Sequence, residues 1–293
     1  MKPTILVTGG NGQLGFELAR LETAFPQFTF VFTDRTTLNI ASKDDVLKAF
    51  EQYQPAYFVN CAAYTAVDKA ETEREAAASI NADAVGIIAT YCQQHRTQLI
   101  HVSTDYVFNG KGTSPYLPDD PTAPLNYYGQ TKWEGEQLAL KACSNSIIIR
   151  TSWVYSEHGN NFVKTMLRLM GQRPELNVVS DQVGCPTYAR DLAAAIMHII
   201  TVTHSGETLT QGGIYHYSNS GVISWYDFAV GIRNIAGLSC QVHPIPSSAY
   251  PTPAARPSYS VMDLKKIQDV YGVPVVPWEN SLKECINRLN ASL

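Results

Sequence analysis

A short apolar strand that runs straight into a glycine turn and then into a helix constrains this chain more than any other feature. TILVT at residues 4–8 is followed without a break by TGGNGQLGFELAR, in which Gly9, Gly12 and Gly15 keep G-x-x-G-x-x-G spacing. Glycine allows the tight turn and a close backbone approach. The N-terminus of the next helix offers free N–H groups and a positive dipole to a pyrophosphate. The same glycines would serve a turn that only packs helix on strand, but strand before and helix after is the context in which the spacing has a mechanism. The second strand ends at Asp34, about 20 residues on, where an acid can bind the adenosine ribose hydroxyls. Arg35 follows and suits a 2′-phosphate, so Asp34 argues for NADH and Arg35 for NADPH.

Strand and helix patterns alternate through the first half. Strands are predicted at 4–8, 28–33, 56–62, 98–103 and 146–153, and helices at 12–21, 42–53, 74–95 and 127–142. Ser42 reads as an N-cap with Asp44 and Asp45 in the first turn. Strands rich in Val and Ile on both faces, each followed by a helix, imply a parallel sheet covered on both sides. After residue 153 the rhythm changes: helix 161–170, strand 176–181, helix 189–200, strand 214–219, helix 224–235, then the Pro-rich HPIPSSAYPTPAARP and two short helices. The expected architecture is a dinucleotide-binding α/β domain over 1–152, with a returning segment at about 188–217, and a smaller lobe over 153–187 and 218–293. Arg256 and the tyrosines of the Pro-rich stretch suit a loop packed over a site.

Composition excludes several classes. With 45% apolar and 16% charged residues among 293, the chain has the makings of an ordinary globule with a sizeable core. A formal charge of −4 without a Lys/Arg block argues against a nucleic-acid binder. The six cysteines are scattered with no C-x-x-C, so neither a disulfide framework nor a zinc site is expected. No run is apolar long enough to span a membrane, and the N-terminus lacks the features of a signal peptide, so the expected location is the cytoplasm.

The fourth strand ends HVSTDYVF, which carries Ser103, Thr104 and Asp105 to the edge where ligands bind in open α/β sheets. NYYGQTKWEGEQLAL then begins a helix on which Tyr128 and Lys132, four apart, share a face. A nearby ammonium favours the tyrosinate and lowers the tyrosine pKa towards neutrality, and such a tyrosine exchanges a proton with a carbonyl or alcohol. Thr104 would orient the same oxygen. Tyr127, 100° away around the helix, is expected to be structural. Small Ala62 and Ala63 at the end of strand three leave room for a nucleotide.

Taken together, TGGNGQLGFEL, VNCAAYTAVDKAE, HVSTDYVFNG, YGQTKWEGE, RTSWVYSEHGNNFVKTML, VVSDQVGCPTYARDLA and ARPSYSVMD resemble the dTDP-4-dehydrorhamnose reductase family of the extended short-chain dehydrogenase/reductase superfamily. The pieces span almost the whole chain. The resemblance implies a Rossmann-type doubly wound parallel sheet with a smaller C-terminal α/β substrate lobe. It also implies a hydride passing from NADPH or NADH to C4 of a dTDP-4-keto-6-deoxy sugar. Tyr128 would protonate the oxyanion, Lys132 would hold the nicotinamide ribose, and Thr104 would hydrogen-bond the keto oxygen. Gly9, Gly12, Gln13, Leu14, Gly15, Ala62, Ala63 and Tyr64 would line the cofactor, and Thr65, Val67, Asp105, Phe108 and Trp153 would face the sugar nucleotide. Arg256 is a candidate partner for the diphosphate, whose two negative charges need a donor.

The chain departs from the family pattern in two places. Asn39, followed by Ile40, stands where relatives carry an acid after strand two; both are expected on the cofactor side, with Asn39 able to bond adenine or ribose. Some relatives bind Mg²⁺ between subunits through glutamates, and Glu17 fits the first of these positions. Arg190 stands where a ligand glutamate is expected, and an arginine cannot ligate Mg²⁺. No metal is expected, and the chain is read as a monomer or weak homodimer. A nucleotide-sugar epimerase or dehydratase of the same superfamily, or a non-catalytic regulatory subunit, is the competing expectation. Tyr106 after Asp105 removes the second carboxylate that a dehydratase uses there.

Overall fold

The computed structural model describes residues 2–291. β1 (Thr4–Thr8), β2 (Thr29–Phe32), β3 (Tyr57–Asn60), β4 (Gln98–Thr104) and β5 (Ile147–Thr151) form one sheet with a later strand, Gly213–His216. The order runs from that strand through β5, β4, β3 and β1 to β2, and every neighbouring pair is parallel. Strand order reverses at β1, which places the binding crevice beyond the carboxyl ends of β1 and β3.

Alternation along the strands fills two cores. Ile5, Val7, Val59, Ile100, Ile147 and Ile149 point to one face, beneath helices Gln13–Leu21 and Ala189–His204. Leu6, Phe58, Leu99 and Ile148 point to the other, beneath helices Lys43–Tyr53, Ala84–His95 and Tyr127–Ala142. Ser42 caps its helix as expected, accepting from the Asp45 N–H at 3.2 Å. A third core, built on Tyr155, Met166, Tyr188, Phe228, Trp278 and Leu282, belongs to the C-terminal part of the chain.

Two local expectations change. The helix expected over 74–95 is interrupted by a π-helical stretch at Ser79–Asp83, where the buried Asn81 turns its amide to the chain after β3. Part of the Pro-rich stretch is a strand, Gln241–Ile245, paired in parallel with Glu175–Val179. Pro244 is tolerated because a two-stranded ribbon leaves one side of each strand without a ladder. No helix among the described residues is long and apolar enough to cross a membrane.

Candidate active site

The glycine turn is shaped by contact. Gly9 has φ of +69°, and a Cβ on it would lie 2.8 Å from the Ala62 nitrogen. A Cβ on Gly15 would overlap the Gly9 carbonyl oxygen. Only glycine lets β1, the helix start and the segment after β3 close together, and the closure leaves the helix N–H groups facing the crevice. This cradle fits a dinucleotide pyrophosphate. Gln13 ties the turn to the segment after β5, accepting from Asn161 at 2.9 Å, whereas the Leu14 and Ile40 side chains lie in the two cores. Ile40 therefore faces away from any cofactor. Asn39 is exposed and its side chain caps its own loop, accepting from the Ala41 N–H at 3.2 Å.

Asp34 is already engaged. One oxygen accepts from Asn11 of the glycine turn at 2.6 Å; the other takes the Thr36 and Thr37 N–H groups and the Thr36 hydroxyl. These bonds, led by the Thr36 hydroxyl, hold its carboxyl down at about 2. Arg35 beside it is exposed. The acid shapes the turn, and the open group at the end of β2 is a cation.

Ala62, Ala63, Tyr64, Thr65 and Val67 follow β3 along the crevice. Asn81 fixes this segment by pairing with the backbone of Tyr64 in both directions, at 2.8 and 3.0 Å, and it also reaches the Thr131 hydroxyl. π-Turns of this kind recur at functional sites. The Tyr64 hydroxyl donates to Glu73 at 2.6 Å.

Helix Tyr127–Ala142 starts at Asn126, whose side chain accepts from the Gly129 N–H at 2.8 Å. Gly129 is pressed against the Tyr106 carbonyl and Gly135 against the Asn81 carbonyl so closely that a Cβ on either would overlap. The helix is thereby seated between the end of β4 and the π-turn, and Tyr128 reaches the hydroxyl of Thr104. Tyr127 is structural, as expected: Arg74 lies over its ring at 4.7 Å and Glu71 caps its N–H.

The electrostatics differ from the expectation of a tyrosine lowered by its lysine. Burial pushes the Tyr128 hydroxyl up to about 12, with the Thr104 hydroxyl opposing it. Lys132 is 2% exposed, and its Nζ donates to the Val102 carbonyl at 2.7 Å. Burial pushes this ammonium down to about 8, against the pull of Glu136 one turn on. Desolvation outweighs any Lys132 effect on Tyr128. Thr104 donates to Asp105 at 3.0 Å, and burial raises the Asp105 carboxyl to about 7.

Trp153, expected to face the sugar nucleotide, adopts φ of +50°, a strained conformation for a bulky residue, and stacks on Trp225 at 3.7 Å. Phe108 does not face the site. It is 1% exposed, stacked on Tyr116 at 4.2 Å and covered by Arg150. Arg256 is not an open cation: it pairs with Asp68 at 2.9 Å and with the Ala254 carbonyl at 2.8 Å. Among the described residues no three His, Cys, Asp or Glu side chains are grouped to hold a metal ion. Glu17 faces Ser156 and Glu157, while Arg190 pairs with Glu284. Sequence reasoning missed Asn60, Asn81, His101, Glu136 and Trp225. A polar residue inside an apolar strand or helix was the available signal for the first four.

Comparison with known proteins agrees with this geometry. The family model described as RmlD substrate binding domain matches residues 1–291. The dTDP-4-dehydrorhamnose reductase of Aggregatibacter actinomycetemcomitans is 41% identical over 285 residues, covering 95% of this chain and 97% of its own length. The spore coat polysaccharide biosynthesis protein SpsK of Bacillus subtilis is also 41% identical, over 292 residues and 98% of both chains. The crystal structure of dTDP-4-dehydrorhamnose reductase from Bacillus anthracis in complex with NADP matches with a TM-score of 0.92 at 37% identity, covering 98% of this chain and 100% of that one. On these matches, and on the glycine cradle and the Thr104–Tyr128–Lys132 arrangement, the chain belongs to the RmlD family of dTDP-4-dehydrorhamnose reductases.

Proposed function

We propose that the chain reduces the C4 keto group of dTDP-4-dehydro-L-rhamnose to give dTDP-L-rhamnose, with NADPH as the preferred reductant. The observation that carries this reading is the seating of the Tyr128 helix against the end of β4, which brings the Tyr128 hydroxyl to Thr104. A reductase needs a proton donor at the start of turnover, and a group with a pKa near 12 is protonated throughout the physiological range. Gly9, Gly12, Gly15 and the helix they introduce would hold the cofactor's pyrophosphate, and Lys132 its nicotinamide ribose. Asp34 is engaged and Arg35 is open, which favours a 2′-phosphate and so NADPH. When bound, the reduced nicotinamide supplies the hydride that C4 accepts.

The chain's own residues do the rest. Tyr128 gives its proton to the C4 oxygen as negative charge develops there, and Thr104 orients that oxygen. With Asp105 ionised, the Thr104 hydroxyl donates to Asp105 and can only accept from the substrate side. With Asp105 protonated, the carboxyl can donate to Thr104 and free the hydroxyl proton for the keto oxygen. Trp153, backed by Trp225, offers a flat wall to the sugar nucleotide. The reaction is read as cytoplasmic; all six cysteines are unpaired and five of them buried, which suits a reducing compartment.

The test is NADPH consumption with a panel of 4-keto nucleotide sugars, the product identified by NMR. Tyr128→Phe is expected to lower kcat roughly 10²–10⁴-fold while cofactor binding persists. Wild-type turnover in that variant would remove Tyr128 from the donor role. Tightly retained NAD⁺ with no net NADPH consumption would point to an epimerase instead.

A further inference from the structure

A buried polar chain runs behind the site to Lys132, and its other three members have no part in the chemistry above. The Thr8 hydroxyl donates to Asn60 Oδ1 at 2.6 Å, Asn60 Nδ2 lies 3.0 Å from His101 Nδ1, and His101 Nε2 lies 3.3 Å from Lys132 Nζ. None of the four residues is more than 2% exposed. Thr8, Asn60 and His101 stand side by side on β1, β3 and β4, in the order in which those strands pair. The chain therefore starts at the residue before Gly9 and ends on the lysine.

Counting donors shows what it does. An ammonium has three donors and no acceptor, and Val102 takes one of them. His101 Nε2 can take a second only as a lone pair, which puts the ring proton on Nδ1 and requires the Asn60 oxygen to receive it. In the orientation above, Asn60 presents its N–H to Nδ1. The ring proton is then on Nε2, facing Lys132, where only a free amine can accept it. A carboxamide reverses its donor and acceptor by a half-turn, and the Thr8 hydroxyl can bond either end. The chain thus has two self-consistent settings, one for each protonation form of Lys132. His101 does not itself take up a proton, because burial and then the Lys132 charge hold its ring neutral.

We propose that His101, backed by Asn60 and Thr8, is the positioning residue for Lys132, one relay setting receiving the ammonium and the other the free amine. The proposal rests on the reductase reading for its effect on turnover. In the ammonium setting two lysine donors are directed backwards, to Val102 and His101, and the third is left for the site. The other titratable groups facing Lys132 are Cys61 from the segment after β3 and Glu136 from its own helix, with Tyr128 one turn earlier. Glu136 is bound by Arg150 from β5 at 2.7 Å and by the Ser103 hydroxyl, so its oxygens are already engaged. His101 is the adjustable partner.

The experiment is a pH titration of Lys132 Nζ by ¹⁵N-lysine NMR in the whole protein, the signal assigned by its loss in Lys132→Gln. Removing an acceptor that favours the charged form should lower the midpoint in His101→Leu by about one pH unit, and His101→Gln, whose carboxamide oxygen can accept, should restore it. Asn60→Asp locks the charged setting and should raise the midpoint, an effect that disappears in the His101→Leu background. Should His101→Leu not fold, the test rests on Asn60→Asp raising the midpoint while His101→Gln keeps the wild-type value. A Lys132 midpoint unmoved in folded His101→Leu, or in Asn60→Asp with His101 intact, overturns the relay. The alkaline limb of kcat should follow the NMR midpoint while KM for the sugar nucleotide stays constant. If wild type reduces no 4-keto nucleotide sugar, the reductase reading fails, and the titration still decides the relay.

Discussion

Asp68 and Arg256 are 188 positions apart in the chain and meet at 2.9 Å. Asp68 also accepts from the Ala254 N–H at 3.1 Å, and Asn126, the cap of the Tyr128 helix, donates to the Ala255 carbonyl at 2.8 Å. The Pro-rich stretch is thereby tied both to the segment after β3 and to the start of the Tyr128 helix. Arg256 is held in place by that carboxylate.

That pairing sets a prediction. The bridge is partly exposed, so Asp68→Asn should cost at most about 1 kcal/mol of stability. Arg256→Ala should raise KM for the sugar nucleotide roughly tenfold, with less effect on KM for NADPH. Steady-state kinetics with each substrate varied in turn check this, and equal rises in both constants would count against a substrate-side role.

Arg35 should decide between the two nicotinamide cofactors. Arg35→Ala is expected to weaken NADPH binding roughly tenfold, about 1.4 kcal/mol, and to leave NADH nearly unchanged. Fluorescence titration of both cofactors measures the ratio. A variant that keeps wild-type selectivity would move the 2′-phosphate contact elsewhere.

Glu136 and Arg150 form a buried bidentate pair, both at most 1% exposed. Replacing Arg150 with Met strips the buried Glu136 carboxylate of its bidentate partner and leaves it the Ser103 hydroxyl to bond. The expected loss is about 3–5 kcal/mol in urea unfolding. Changing both residues to apolar ones should cost much less than Arg150→Met alone.

Glu17 is a pH-sensitive element of the fold. Burial first, then the hydrogen bond to and charge of Glu157, raise its carboxyl to about 7 from an ordinary 4.5. The native state therefore holds an extra proton between those values. The stability it contributes is complete below the ordinary pKa and is lost as pH rises through about 7. Glu17→Gln should melt like wild type at acidic pH and above it on the alkaline side, read as Tm against pH. Parallel Tm profiles for the two proteins would remove Glu17 from this role.

Gly15→Ala should fail for a steric reason, because its Cβ overlaps the Gly9 carbonyl. Relief requires the helix start to move, at about 1–3 kcal/mol, with loss of NADPH affinity. Chemical denaturation and cofactor titration of the same sample separate the two effects.

The order of elements, the glycine cradle and the shared face of Tyr128 and Lys132 were legible in the sequence by itself. All three depend on local periodicity and spacing, which a linear chain displays. Only the tertiary structure decided where those side chains turn. Lys132 bonds backwards to Val102 and His101, and Tyr128 remains a strong proton holder, because burial is the sum of contacts from distant segments. Phe108 and Ile40 went to cores and Arg256 to Asp68 for the same reason. Residues near a motif share its neighbourhood, but strand pairing and helix seating assign each one to the crevice or to the interior. The polar partners Asn60, Asn81 and His101 were hidden because each acquires its role from a residue at least 17 positions away.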